Sequence, residues 1–422
     1  MTLPPDALPS GTLLEIESIA SGGDGIARSD GLVVFTPRTA PGDLVRATVR
    51  IVRRVGRGAL QSVERAGAQR VAAECAHYDG PDRCGGCQLQ HLSIEGQREA
   101  KRAMVRDAFR RIARRDVPLP EIHGGDPWRY RRSLTLAIRR DPDGQVRAGL
   151  RAFDDPEAVF SLRDCHITEE RVLAAWREIV AAAEHLPPVE RLRGTVRWFD
   201  DRAAFVLEGG TEWAALDAFL KAVPSVVAIW WHAEGQRRRL VADRRTGVQP
   251  GASFAQVNAP MAERMQADVV ARAMAHHPAT AIDAYSGTGA TAIALVAAGV
   301  RVTAIEMDEE ATAWAARRIP APSRAIAARV EELLPRVLPA DVVILNPPRA
   351  GVDARVVGAL EKSLGDSATA PRAILYVSCD AATLARDVSR LPGWRVHALA
   401  CYDLFPQTAH VETVCELRPG LA

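Results

Sequence analysis

Cys379 stands in "YVSCD" (376–380), after the apolar stretch "AILYV" and directly before the helix-like "AATLARDV". Asp380 is a suitable N-cap for that helix. Cys379 therefore lies beside a helix N-terminus, whose partial positive charge lowers a thiol's pKa. Position alone leaves two readings open: an activated nucleophile, or a small buried hydrophobe, the commonest fate of a free cysteine. Further on, "DLFPQTAHVETVCEL" (403–417) holds a stiff turn and a strand-like "HVETVCEL". Its alternation predicts His410, Glu412 and Thr408 on one face. Glu412, near the same end of the sheet, is a candidate general base.

The segment "AIDAYSGTGATAIAL" (281–295) reads as a strand, a glycine turn and a helix. Gly287 and Gly289 let the backbone approach a ligand, and the following helix offers free N–H groups. Glu306 closes the next strand, where a carboxylate can accept both hydroxyls of a ribose. Gly287-x-Gly289-x-x-Ala292 satisfies a relaxed dinucleotide fingerprint, so NAD stays open beside S-adenosylmethionine. Asp283 before the turn, and only about 130 residues after it, favour S-adenosylmethionine.

"LNPPRAGVD" (345–353) follows another apolar strand, and its two prolines make a stiff loop from which Asn346 and Arg349 can reach a cofactor or a base. Asn-Pro-Pro in this place suits methylation of a nucleobase. Arg349 follows instead of an aromatic residue, which argues against an exocyclic amine as the target. A thiol, a base and a methyl donor together suit carbon 5 of uracil. That carbon becomes nucleophilic only after a thiolate adds to carbon 6, and a base must then remove the carbon-5 proton. The target base has to be unstacked first.

A second cysteine group lies upstream. Cys75-x8-Cys84-x2-Cys87, with Cys165 far downstream, supplies four thiolates able to hold zinc or a cubane cluster, which spacing does not separate.

The chain has 422 residues, 47% hydrophobic and 25% charged, which predicts a soluble protein of two or three domains. No apolar run approaches the roughly 20 residues that span a bilayer. The N-terminus "MTLPPDALPSG" lacks the features of a signal peptide, so a cytoplasmic location and reduced cysteines are expected. Net charge is +2, but residues 98–115 carry eight Lys/Arg against two acids. This stretch is predicted to be a basic helix that holds phosphates. Residues 12–64 alternate in short runs broken by glycine, with a turn at "SGGDGIAR" (21–28), and read as an OB-like β-barrel fit for single-stranded nucleic acid or for solubility alone. A mixed α+β region follows to about residue 245. From 246 a βαβ rhythm predicts a parallel sheet covered on both faces, with ligands at the strands' carboxyl ends.

Together these segments resemble the RNA (uracil-5-)-methyltransferases. "GGDGIAR" and "VVFTPRTAPGDLV" are similar to their TRAM barrel and "CGGCQLQH" to their cluster segment. "FAQVN" (254–258), "DAYSGTG", "NPPRAGV", "YVSCDAATLARD" and "FPQTAHVETV" follow in family order. The resemblance implies a TRAM barrel (1–66), a central domain with the four-cysteine site and an RNA surface (67–245), and a Rossmann-like class I methyltransferase domain (246–422). It implies Cys379 as nucleophile, Glu412 as base, and cofactor contacts from Gln256, Tyr285 and Glu306, beside Gly287, Gly289 and Asn346. It favours a [4Fe–4S] cluster on Cys75, Cys84, Cys87 and Cys165 over zinc. Asn346 replaces the family's usual Asp, and Ala290 its usual Asn. The implied substrate is 23S ribosomal RNA. Transfer RNA, or a non-catalytic RNA-binding or iron-sensing role, are the alternatives. A monomer with no membrane or protein partner is expected.

Overall fold

The computed structural model describes residues 8, 11–199, 202–245, 256–365 and 369–420. The chain forms two compact units: Met1–Gln97, Asp126–Ala252 and Pro406–Ala409 make the first, and Arg98–Gly125, Ser253–Phe405 and His410–Ala422 the second.

In the first unit, β1 (Thr12–Ile19), β2 (Gly25–Ser29), β3 (Leu32–Thr36), β4 (Leu44–Val52) and β5 (Val55–Arg65) close a barrel in the order β1-β2-β3-β5-β4. Alternate residues such as Leu14, Ile16, Val34 and Val45 fill its interior. β2 begins inside the stretch expected to be a turn. Gly25 is required there, because a Cβ would sit 2.0 Å from the Thr39 hydroxyl. β6 (Glu121–Gly124) belongs to the second unit. The first unit continues with β7 (Ser133–Arg140), β8 (Val146–Gly149), β9 (Arg191–Phe199), β10 (Arg202–Glu208), β11 (Val226–His232) and β12 (Arg239–Asp243), paired in the order β12-β11-β10-β9-β7-β8.

The second unit is built on β13 (Thr280–Ala284), β14 (Arg301–Glu306), β15 (Arg324–Ala327), β16 (Val342–Leu345), β17 (Ala373–Ser378), β18 (Trp394–Asp403) and β19 (Glu412–Pro419). Among the described residues the sheet order is β15-β14-β13-β16-β17-β19-β18-β6. β15 to β17 are parallel neighbours, whereas β19 runs antiparallel to β17 and β18. "VVIL" and "AILYVS" are buried throughout, as central strands covered on both faces must be. Successive residues alternate between two cores: Val343 and Leu345 face one, Val342 and Ile344 the other.

The basic stretch departs from expectation. Helix Ile94–Ala108 continues as a π-turn over Phe109–Ala113, and much of its charge is engaged internally. Lys101 is fully buried, with Nζ 2.5 Å from Asp403 Oδ1 and 3.0 Å from the Phe405 carbonyl. Arg102 donates to the Pro120 carbonyl and Arg115 to that of Leu391. Arg106, Arg110, Arg111 and Arg114 remain exposed. The segment is thus a packed helix with a narrower cationic face, because Met104, Val105 and Phe109 draw one side into the core.

Candidate active site and the cysteine cavity

β13 has β14 on one side and β16 on the other, so the chain direction of winding reverses there and opens a crevice at the carboxyl ends. The loops after β13, β14, β16 and β17 all emerge at that edge. β19 is antiparallel, so its first residue, Glu412, lies there as well.

The glycine turn is left-handed at Tyr285 (φ 60°), Gly287 (φ 54°) and Gly289 (φ 77°). The two glycines differ in purpose. A Cβ on Gly289 would lie 2.8 Å from the Ala315 Cβ, so this glycine serves helix packing, whereas a Cβ on Gly287 would meet nothing within 4 Å. Gly287 therefore keeps the open side of the turn clear for a ligand. Glu306 shapes the turn: Oε2 accepts from the Gly287 N–H and Oε1 from the Asp308 N–H, each at 2.9 Å. Asp283 is buried and accepts the Ala292 N–H at 3.0 Å, and burial, reinforced by Glu306, pushes its carboxyl up to about 7. It braces the first turn of helix Ala290–Ala297. Gln256 has a buried Oε1 without a hydrogen-bond partner. It precedes Asn258, which caps helix Ala259–Met274. Asn346 donates its N–H to the Ala284 carbonyl at 3.2 Å and leaves its side chain exposed. A left-open glycine, an orphaned buried amide oxygen and an exposed amide are groups that fit a polar adenosine cofactor. Phe254 and Ala255 of "FAQVN" lie outside the described residues.

Ser378 pairs with Thr413 across β17 and β19. One step further along the same register sets Cys379 opposite Glu412. Arg349, from the loop after β16, lies close enough to act electrostatically on both groups. Burial pushes the Cys379 thiol up, the Glu412 charge adds to this, and Arg349 opposes it. The helix N-terminus was expected to lower this thiol. Its N-cap Asp380 already accepts the Thr383 N–H at 2.7 Å, which places a carboxylate on that positive end, and burial prevails. Glu412 is 4% exposed, and burial lifts its carboxyl to about 7 against the pull of Arg349. Cys401 and Cys415, by contrast, are fully buried in the packing of one face of the sheet.

One expectation fails here. The last strand begins at Glu412, not His410, because Tyr402 opposite Glu412 is the final β18 partner and the residues between belong to the connection. His410 is exposed and outside the ladder.

Sequence reasoning overlooked Asp387. It is fully buried and accepts from the Tyr376 hydroxyl at 2.7 Å, from the Val352 N–H at 3.0 Å and from Arg386 at 2.8 Å. Arg386 also donates to the Ala350 carbonyl at 2.6 Å, so the helix after Cys379 clamps the loop that carries Arg349. An acid at a helix position framed by Leu384 and Val388 was the available signal.

In the first unit, Cys75, Cys84, Cys87 and Cys165 all line one small cavity of about 90 Å³. Among the described residues no group of three or more His, Cys, Asp or Glu stands ready in metal-holding geometry. The donor set nevertheless fits a thiolate-bound group: four sulfurs face one space and act on one another electrostatically. Burial raises Cys75, pushes Cys84 up to about 11 and Cys87 up to about 12, with the neighbouring thiols adding to each. A positive centre would relieve all of these at once. Among the described residues no helix is long and apolar enough to cross a membrane.

Residues 325–418 match the family model described as tRNA (uracil-5-)-methyltransferase. The 23S rRNA (uracil(1939)-C(5))-methyltransferase of Chromohalobacter salexigens is 32% identical, over 95% of this chain and 88% of that protein. An uncharacterized RNA methyltransferase of Gloeobacter violaceus is 31% identical over 98% of each. The crystal structure of Pyrococcus abyssi tRNA (uracil-54, C5)-methyltransferase with S-adenosyl-L-homocysteine superposes with a TM-score of 0.69, covering 96% of this chain and 100% of that one. At 22% identity this likeness establishes the fold. With the full-length relatives above, it means that the chain belongs to the S-adenosylmethionine-dependent RNA (uracil-C5)-methyltransferases.

Proposed function

We propose that this protein methylates carbon 5 of a uridine in 23S ribosomal RNA through a covalent Cys379 adduct. The observation that carries the mechanism is the meeting of Cys379, Glu412 and Arg349 at the carboxyl edge of the sheet. Arg349 stabilises the thiolate as Cys379 Sγ bonds to carbon 6 of the uracil, which makes carbon 5 electron-rich. Bound S-adenosylmethionine supplies an electrophilic methyl group. Once carbon 5 carries that methyl, Glu412 takes the carbon-5 proton. The C–H electrons restore the C5=C6 double bond and expel Cys379 as thiolate. Glu412 is suited to this step because a carboxyl near pKa 7 can hold and release a proton at neutral pH.

Gln256, Tyr285, Gly287, Glu306 and Asn346 bind the cofactor, and Gly289 holds the turn in shape. Asn346 offers an amide where an acid would repel an anionic or electron-rich partner. Cys75, Cys84, Cys87 and Cys165 hold a [4Fe–4S] cluster that pins the central region (67–245), which follows the TRAM-like barrel (1–66) and precedes the methyltransferase domain (246–422) in the chain. The protein acts as a cytoplasmic monomer. The ribosomal substrate is supported by the Chromohalobacter salexigens relative, and the family model's description keeps transfer RNA as the competing substrate. Mass mapping of 5-methyluridine in both RNAs, with and without the gene, decides between them. Loss from 23S RNA alone is expected, and loss from transfer RNA alone overturns the substrate.

A further inference from the structure

The first unit carries an open cleft of about 690 Å³, and its wall includes Arg139, Arg151, Arg191 and Arg193 against a single acid, Glu208. Two of these cations are neutralised nearby: Arg191 pairs with Glu157 at 3.1 Å and Arg193 with Glu208 at 2.8 Å. Among the described residues, Arg139 and Arg151 make no ion pair with a carboxylate. Burial, with Arg151 and Arg191, lowers the pKa of Arg139 against the pull of Glu157 and Glu190. Phe153 lines the same cleft and is 42% exposed. Its ring is packed against the Arg38 guanidinium, 4.0 Å from the ring centroid, and Arg38 also lies over Tyr78. Phe153 is therefore a braced aromatic face next to two unneutralised guanidiniums. The turn Gly85–Gly86 forms part of the wall, and Gly86 and Leu150 also line the cysteine cavity.

We propose that this cleft of the first unit is a docking site for single-stranded RNA, in which one base stacks on Phe153 and the phosphates beside it lie against Arg139 and Arg151. The chemistry is that of sequence-tolerant strand binding: a stacking platform combined with cations that track the backbone. Arg forks suit phosphate oxygens in a way that lysine does not, and both cations here are arginine. The proposal requires RNA as substrate but not the ribosomal assignment.

The test measures binding without turnover, so its failure is distinct from a wrong substrate assignment. A labelled single-stranded oligoribonucleotide of no ribosomal sequence is titrated by fluorescence anisotropy, without S-adenosylmethionine, into the full chain. The double variant Arg139→Glu/Arg151→Glu is expected to raise Kd at least about tenfold. Its plot of log K against log salt is expected to be shallower by about 1.4, the value for two single-strand phosphates. Phe153→Ala is expected to raise Kd about fivefold or more. Arg301→Glu/Arg324→Glu, at the amino ends of β14 and β15, controls for net charge. If the double variant melts early, phenylglyoxal footprinting of the wild type replaces it, with RNA expected to protect Arg139 and Arg151. Binding equal to the control, or modification unaffected by RNA, overturns the site.

Discussion

Cys379 shares its perturbation with Cys75, Cys84 and Cys87 of the cavity and has opposite neighbours. Burial raises Cys379 just as it raises Cys75, Cys84 and Cys87. What separates them is company. Cys379 faces a carboxylate and a guanidinium at the open edge of a sheet, whereas the others face one another in a closed space. A high thiol pKa is therefore no mark of either role. A nucleophile needs a proton acceptor and a cation that favours the thiolate as it forms, and a ligand set needs several thiols converging on one point.

The largest effect should come from removing the thiols in turn. Cys379→Ala is expected to lower methylation of uridine-containing RNA at least about a thousandfold with unchanged thermal stability, as loss of a nucleophile does. Cys84→Ala should do the reverse, lowering the melting temperature while residual folded protein keeps its rate at saturating RNA. Full activity in Cys379→Ala would remove the covalent mechanism, and with it the ground for treating the two cysteine settings as different. Absence of methyl transfer by the wild type itself would instead favour a non-catalytic binding role.

Glu412 provides the next test, and its sign can be worked out. Glu412→Gln should cut turnover about 10²- to 10⁴-fold. Addition and methyl transfer do not need the base, so a protein–RNA adduct should persist on a denaturing gel. In the wild type the base must be ionised, so activity should rise as pH climbs through about 7. Stability should move the other way. The folded carboxyl is raised from 4.5 to about 7, so its contribution to stability is fully present below 4.5 and is lost as pH rises through 7. Melting at pH 5 and pH 8 checks this: Glu412→Gln should gain on the wild type at pH 8.

Much of this arrangement was legible in the sequence, and the failures have physical causes. The parallel sheet showed because its central strands are uninterrupted apolar runs, which only burial on both faces tolerates. Cys379 and Glu412 were visible as types, but their pairing depends on antiparallel register, which no local pattern states. β2 was hidden in a glycine-rich stretch, since Gly25 is there for the approach of Thr39 and not for a bend. The basic helix misled because a count of charges does not say which face packs, and Lys101 is on the packed one. Asp387 was missed because a buried acid has no signature until its donors are known.

Asp387 and its neighbour Arg386 hold the loop that brings Arg349 to the thiol. Asp387→Asn keeps the shape but weakens three hydrogen bonds and the pairing with Arg386. A stability loss of about 1–3 kcal/mol is expected. Turnover should fall about tenfold while the KM for S-adenosylmethionine holds, because a loop shift of less than about 1 Å is enough to misalign Arg349 with the thiol. A change in KM alone would mean that the clamp serves the cofactor and not Cys379.

The smallest effect tests the cation directly. If Arg349 is what distinguishes Cys379 from the cavity thiols, then removing it should slow the reaction of Cys379 with iodoacetamide and leave Cys75 untouched. Only the thiolate is alkylated. Arg349 lowers the Cys379 pKa against burial and Glu412, so Arg349→Gln should raise it further and reduce the thiolate fraction at pH 8. The same change relieves Glu412 of its one opposing charge, which keeps that carboxyl protonated to higher pH and partly offsets the loss. The net slowing should therefore be modest, about three- to tenfold by mass-spectrometric alkylation rates. Faster alkylation at Cys75 would show a global loosening of the fold. No slowing at Cys379 would mean that Arg349 meets the substrate and not the thiol.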